Sequence, residues 1–518
     1  MLLQGIDAKR VALVAVVLVS DIFFTGLVFG WAPLLLMLQE EHQYAELCNG
    51  KNQCVEQENR LNLMFALASV AANAGALPIG MFLDYCGPKI AISVAATVEI
   101  TGLVLMAFAD SQTFDVFVPA YVLLAFGGCI TMMTSFPASF LIMKYQTAIL
   151  AAISCLFDGS SVIFLVLYSI RSTFGATRTQ LFLGLACVAA LVYLVLIVLW
   201  HVNEHSLHDA HDATTQAQEM QPLVAHASDD EAKHKAAKQL VRSTSLRYGS
   251  LTEEEFAAAH DTEELRALYT SGAVENVLLD APLKRQILTF EFAFVLLFAA
   301  TQVLRTTVYI GTTNKLLENY GDAQEGYLYT KVFSFVLPMG FLFVPFIDYV
   351  VESKGLTLSL IFTNVIGVIY NAMVLVPSLP LQCLTFFVFT GFRAFLYAVM
   401  SAFAAKTFGL KNLGTLVGSI FTVSSIVSLV EYPAVYISNV RFGGDLSVVY
   451  WISLLLCVGL FPFTEVYRKR ENARHATHEK LLHAMDGGAS PAKDHMQGLS
   501  YMRSPMMRSP NVKAFVNA

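Results

Sequence analysis

Twelve apolar runs, each close to the length of a bilayer crossing, constrain this chain more than any other feature. A hydrocarbon core of about 30 Å takes about 20 residues of helix, and its lack of water forces every spanning backbone to close its own hydrogen bonds. Such runs fall at 11–38, 61–83, 89–109, 117–143, 147–170 and 181–200, and again at 286–311, 327–350, 356–376, 381–405, 413–436 and 448–463. They predict an all-α polytopic membrane protein with twelve transmembrane helices in two six-helix bundles. The first run exceeds the about 7–15 apolar residues of a cleavable signal, so it reads as the first helix of the mature chain.

The same pattern divides the sequence into an N-terminal bundle over 1–202, a cytoplasmic linker over 203–283, a C-terminal bundle over 284–467 and a disordered cytoplasmic tail over 468–518. Only 14% of residues are charged, against about 25% in soluble domains, which excludes a soluble enzyme. A net charge of -7 lacks the cation excess that phosphate neutralisation requires, so the expected surrounding partner is lipid and no nucleic acid. Cations in short loops mark the cytoplasmic side. Lys9, Arg10, Lys89, Lys144, Lys284, Arg285, Lys354, Lys406, Lys411 and Arg468 to Arg470 all fall on one side of a twelve-span plan, which puts both termini in the cytosol. The histidines at 201, 205, 208 and 211 read as a solvated loop, so no metal and no cofactor is expected. In the tail, Ser504 and Ser509 sit in a repeated Met-Arg-Ser-Pro that offers phosphoacceptors or is simply polar.

The halves carry signs of duplication, a mark of many secondary transporters. Leu83-Asp84-Tyr85 recurs as Ile347-Asp348-Tyr349, and Ser160-Ser161 as Ser424-Ser425, both at a spacing of 264 residues. Each match lands on an equivalent helix of the two sets.

Charges within spans cost roughly 2.5–3.5 kcal/mol each to insert and so call for a partner, a cavity or a role. Asp21, Asp158 and Arg393 lie nearest the midplane, with Arg305 nearer the outer end of the seventh span. Each begins or joins a polar stripe at helical spacing: Asp21 with Thr25, Ser154 with Asp158, Arg305 with Tyr309, and Arg393 with Tyr397 and Ser401. Two acids in the first half and two bases in the second suit a substrate carrying both charges, because a guanidinium captures a carboxylate bidentately and a carboxylate holds an ammonium. The competing reading is that acid–base pairs merely lock the bundle. Glu99, in the third span, has no place in this scheme.

Gly80-x-x-x-Asp84-x-x-Gly87-Pro88-Lys89 joins the second and third spans. Gly80 permits close helix approach, Gly87-Pro88 turns the chain, and Asp84 can meet a helix N-terminus or a cation. The pattern resembles the loop signature of the major facilitator superfamily, with Tyr85 where a basic residue is usual. That resemblance implies the superfamily fold, with helices one, four, seven and ten lining a cavity, and a cytoplasmic gate formed by Gly80, Asp84, Gly87 and Lys89 together with Asp348.

A narrower resemblance follows from Phe29-Gly30-Trp31-Ala32-Pro33-Leu34, the loop with Cys48 and Cys54, Phe157-Asp158-Gly159-Ser160-Ser161, Gln302-Val303-Leu304-Arg305, Tyr309-Ile310-Gly311-Thr312-Thr313-Asn314 and Arg393-Ala394-Phe395-Leu396-Tyr397. These are similar to solute carrier family 43, which comprises sodium-independent facilitators of large neutral amino acids and a purine nucleobase branch. The expectation is alternating-access transport of neutral amino acids at the plasma membrane, with Asp21, Asp158, Arg305, Tyr309, Arg393 and Tyr397 around the substrate and a Cys48–Cys54 disulfide if the loop faces an oxidising compartment. A nucleobase carrier, a proton-coupled carrier and a non-transporting nutrient sensor remain open at this stage.

Overall fold

The computed structural model describes residues 8–48, 55–204, 278, 281–441 and 445–485. Ten helices among them are long and apolar enough to cross a membrane, and a bent pair makes an eleventh. The twelfth comes from Gly87, whose φ of 79° and ψ of 165° break one continuous assignment into two helices. A residue with a side chain is disfavoured there, and the following Pro88 cannot continue a hydrogen-bond ladder, so the chain turns where the sequence motif requires.

We label the spans α1 (Ala8–Phe29, continued by Trp31–Glu40), α2 (55–86), α3 (88–108), α4 (Phe117–Leu141), α5 (Gln146–Gly159 and Val162–Phe174), α6 (Arg178–Val202), α7 (Phe290–Asn319), α8 (Leu328–Lys354), α9 (Leu356–Val374), α10 (Leu379–Phe408), α11 (Leu413–Ser438) and α12 (Ser447–Asn472). Each predicted run corresponds to one of them. The expected linker lies outside the described residues from 205 to 277. Of the tail expected to be disordered over 468–518, the part up to Met485 continues α12 as helix, and the rest lies outside the described residues. The helical continuation is held by Arg468 to Glu465 at 2.9 Å, by Glu471 accepting from Thr357 on α9 and by Arg470 over the Phe290 ring at 4.0 Å. Ser504 and Ser509 lie outside the described residues.

The first half packs α2 and α3 on α4, α3 on α6, and α1 on α6; the second packs α7 on α11, α9 on α10, and α9 on α12. Each half closes its own apolar core. Ala151 and Cys155 of α5 belong to the second half's core, while Ala402, Ala404 and Ala405 of α10 and Leu413 and Val417 of α11 belong to the first's. The bundles are therefore joined along two lines, α2 against α11 and α5 against α8 and α10.

Two helices break at the same depth. α1 passes through a π-turn at Asp21–Thr25 and a tight turn at Leu27–Phe29, and α5 bends by 40° between Gly159 and Val162. The breaks meet, since the N–H of Gly26 donates to Ser160 Oγ at 2.6 Å. That bond satisfies a backbone donor released by the broken ladder, as a span without water requires.

Candidate functional site

The seam is shut at the end that carries Asp84. Its carboxylate accepts from the N–H of Gly414 at 2.9 Å and of Thr415 at 2.6 Å, at the start of α11. A helix N-terminus presents such free donors with a partial positive charge. One turn deeper, a Cβ added at Gly80 would overlap the Gly414 carbonyl oxygen, so only glycine lets α2 and α11 approach this closely. The contact continues through Leu77 N–H to Thr422 Oγ1 at 3.0 Å.

The second line repeats the arrangement with the halves exchanged. Asp348 of α8 accepts from the backbone N–H of Ala148, at the start of α5. Beside it, Glu352 accepts from Thr147 and pairs with Lys406 of α10 at 2.5 Å. Lys89, by contrast, stays within its own half, bonding His201 at 3.0 Å and Glu204 at 3.3 Å. The sequence motif locates Asp84 and Asp348; Glu352, one turn beyond Asp348 and paired with Lys406, joins this contact between the halves without being part of the motif.

Moving inward along α5, Ser154 Oγ lies 3.3 Å from Ser401 Oγ of α10. One turn further, Arg393 Nη2 donates to Asp158 Oδ1 at 2.7 Å, joining the halves. The side chains of Asp158 and Arg393 are 10% and 12% exposed, whereas Ser401 is only 2% exposed. The pair lies between the closed end of the seam and the bend in α5. Arg393 also faces the Tyr397 ring at 5.7 Å, and Tyr397 packs on Phe421 of α11. Its Nε has no hydrogen-bond partner.

The other expected site residues are not brought to this pair. Asp21 is fully buried in the first bundle, where Oδ1 accepts from Ser135 of α4 at 2.8 Å. Arg305 turns into the second bundle: it donates to Gln302 and, at 2.7 Å, to the Gly367 carbonyl, with Tyr370 and Phe392 over its guanidinium. Tyr309 lies beside it in a ring cluster with Phe333, Tyr370 and Phe389. The expected wall positions of Asp21 and Arg305 followed from helix number alone; depth and spacing were legible, but helix rotation was not. Cys48 is disulfide-bonded, while Cys54 lies outside the described residues.

α9 follows the Gly355 turn of the second half as α3 follows the Gly87 turn of the first, and where α3 buries Glu99, α9 buries Asn364, against Cys457 of α12. In the second half these positions join a satisfied network: Gln302 donates to Asn364 Oδ1 at 2.7 Å, Asn364 to the Cys457 carbonyl at 3.0 Å, and Cys457 to Asn364 Oδ1 at 2.9 Å.

No protein-family model matches the chain. Among solved structures, it is similar to the human organic anion transporter MFSD10 (TM-score 0.55, 13% identity, 87% of this chain and 98% of that one) and to the major facilitator proton:xylose symporter XylE (TM-score 0.52, 12% identity, 89% and 96%). The chain has the major facilitator superfamily fold. By sequence, this transporter is similar to equilibrative nucleobase transporter 1 of Bos taurus (23% identity, 82% of this chain and 88% of that one) and to large neutral amino acids transporter small subunit 3 of Homo sapiens (22%, 89% and 93%). It is also similar to aromatic and large neutral amino acid transporter 5-3 of Toxoplasma gondii (23%, 81% and 74%). These relatives belong to the group that the motifs around Asp158 and Arg393 resemble. The major facilitator chain is thus a multi-pass membrane transporter and not an enzyme.

Proposed function

We propose that this transporter carries large neutral amino acids, without sodium, by alternating access at the Asp158–Arg393 level. The observation that carries the reading is the ion pair itself: 2.7 Å, joining the two bundles, with both side chains largely buried. A zwitterionic substrate has the two charges that this pair lacks when separated. Its carboxylate replaces Asp158 on Arg393, and its ammonium replaces Arg393 on Asp158, so neither buried ion is left uncompensated. Substrate entry thereby exchanges one set of ion pairs for another at small net cost. Tyr397 and Phe421 provide an apolar face next to it for a large side chain.

In this scheme the end with Asp84 and Asp348 is cytoplasmic, because the short loops there carry the cations. The structure then corresponds to a state closed to the cytosol. The two bundles together form one transport unit, joined by the linker at 203–283, in a membrane that is most simply the plasma membrane. The relatives named for amino acids favour this substrate class. The relative named for nucleobases supports a second reading, in which the same fold carries an uncharged base.

Uptake into proteoliposomes separates the two. Labelled leucine or phenylalanine that enters saturably without sodium, and stops at equilibrium, supports the amino-acid reading. Entry of adenine alone supports the nucleobase reading and refutes a zwitterion site. Binding of leucine without any flux refutes transport and leaves a sensor.

A further inference from the structure

The first bundle buries a second acid that the seam does not use. Glu99 of α3 is 0% exposed, and neither carboxyl oxygen has a hydrogen-bond partner. Its neighbours are known from every helix around it. From α4, Gly127 is packed so tightly on the carboxyl group that an added Cβ would overlap Oε2 and lie 3.1 Å from the Glu99 Cα. From α6, the buried Tyr193 meets α4 through its hydroxyl, and Asp21 comes from α1.

One face of α4 connects these groups. Gly127, Thr131 and Ser135 follow at intervals of four, hence on one stripe. Thr131 Oγ1 lies 2.8 Å from the Tyr193 hydroxyl, and Ser135 Oγ donates to Asp21 Oδ1 at 2.8 Å. The other oxygen of Asp21, which is also 0% exposed, has no partner. Two turns of helix, about 12 Å, thus separate two acids with a run of hydroxyls between them.

We infer that Glu99 is a proton-binding site inside the first bundle, held as the neutral carboxylic acid. Three observations support it. An ionised carboxylate deep in a span, with no donor on either oxygen, is uncompensated, whereas the acid form carries no charge. The contact with Gly127 leaves no room for a metal ion and its oxygen shell, so the cation that fits is a proton. On α9, the second bundle's counterpart of α3, the buried Asn364 carries a neutral amide, the uncharged analogue of a protonated carboxyl, in a complete hydrogen-bond network.

The test is infrared spectroscopy of the full-length transporter in lipid nanodiscs at neutral pH, with glutamate carboxyl groups labelled by carbon-13. The expected result is a protonated-carboxyl stretch that shifts with the label and with deuteration, and whose loss in Glu99→Gln amounts to one residue. Loss of carboxylate intensity instead, with the protonated band unchanged, overturns the proposal. Should Glu99→Gln fail to fold, Gly127→Ala serves on its own: its Cβ would press on Oε2, so it must move the same band. A glutamate spectrum with no protonated band, or with one indifferent to Gly127→Ala, also overturns it.

Discussion

Removing the Asp84 carboxylate should open the seam at its closed end. Asp84 makes two hydrogen bonds across the halves, to Gly414 N–H at 2.9 Å and Thr415 N–H at 2.6 Å. Hydrogen bonds to charged groups contribute about 1.5–3 kcal/mol each. In the open state water reaches both N–H groups and the carboxylate, so the closed state retains only part of that sum; one bond's worth is a fair lower figure. At 1.4 kcal/mol per factor of ten, Asp84→Ala then shifts the ratio of open to closed forms by about 10- to 150-fold. Asp84→Asn keeps an acceptor but loses the charge facing the helix end, an effect of about 1 kcal/mol, or about fivefold. The reporter is Ser401→Cys, which is buried behind the gate beside Ser154. Its alkylation by a membrane-impermeant thiol reagent, added from the Asp84 side and read by peptide mass spectrometry, should rise in the order wild type, Asp84→Asn, Asp84→Ala. Equal alkylation in all three, with protein that melts normally, would refute the gate.

Arg393→Ala should abolish uptake and also lower stability by about 3–5 kcal/mol, because it strands a buried carboxylate; differential scanning measurements with and without Asp158→Asn show whether the second change restores the melting temperature. Gly80→Val should prevent closure of α2 on α11, since even a Cβ overlaps the Gly414 carbonyl, and trap the reporter in its reactive state whatever residue stands at 84. Lys406→Met should weaken the second line of the gate by leaving Glu352 with Thr147 as its remaining partner, and it should act additively with Asp84→Asn because the two lines share no residues.

The twelve spans, their division into two sets and the turn at Gly87 could be read from the sequence, because a bilayer imposes length and apolarity on any helix that crosses it. The depth of Asp21, Asp158, Arg305 and Arg393 was legible for the same reason. Rotation was not. Asp21 and Arg393 look alike in a sequence, each an ion one turn from a polar residue, yet Asp21 faces Ser135 within its bundle and Arg393 faces Asp158 across the seam. What separates them is which helix packs against which, and that depends on long-range contacts such as Gly80 with Gly414. The break in α1 was hidden similarly: Gly26 and Gly30 are visible, but the π-turn at Asp21–Thr25 exists because α5 breaks opposite it and supplies Ser160.

The repeat separates mechanics from recognition. Of the positions that match between halves, Asp84 and Asp348 lie on the two lines that join the bundles, while Ser160-Ser161 sit at the bend of α5 and Ser424-Ser425 inside the continuous helix of α11. Positions that differ in charge carry what is particular to this transporter. At a spacing of 264, Asp158 corresponds to Thr422 and Arg393 to Cys129. Thr422 also lies on the seam, donating to the Asn73 carbonyl at 3.1 Å, so a neutral residue suffices to hold the bundles together at that level. On the proposed reading, the ion pair is then not required for closure and answers to the charges of the cargo. A transporter carrying both Asp158→Asn and Arg393→Gln should still exchange between its open and closed forms, with Ser401→Cys reacting at a rate that Asp84→Ala raises as before, yet show no leucine uptake and no protection of the reporter by leucine. If instead the neutral pair locks the reporter in one state irrespective of residue 84, the charges serve the conformational cycle itself, and the argument from substrate charge fails.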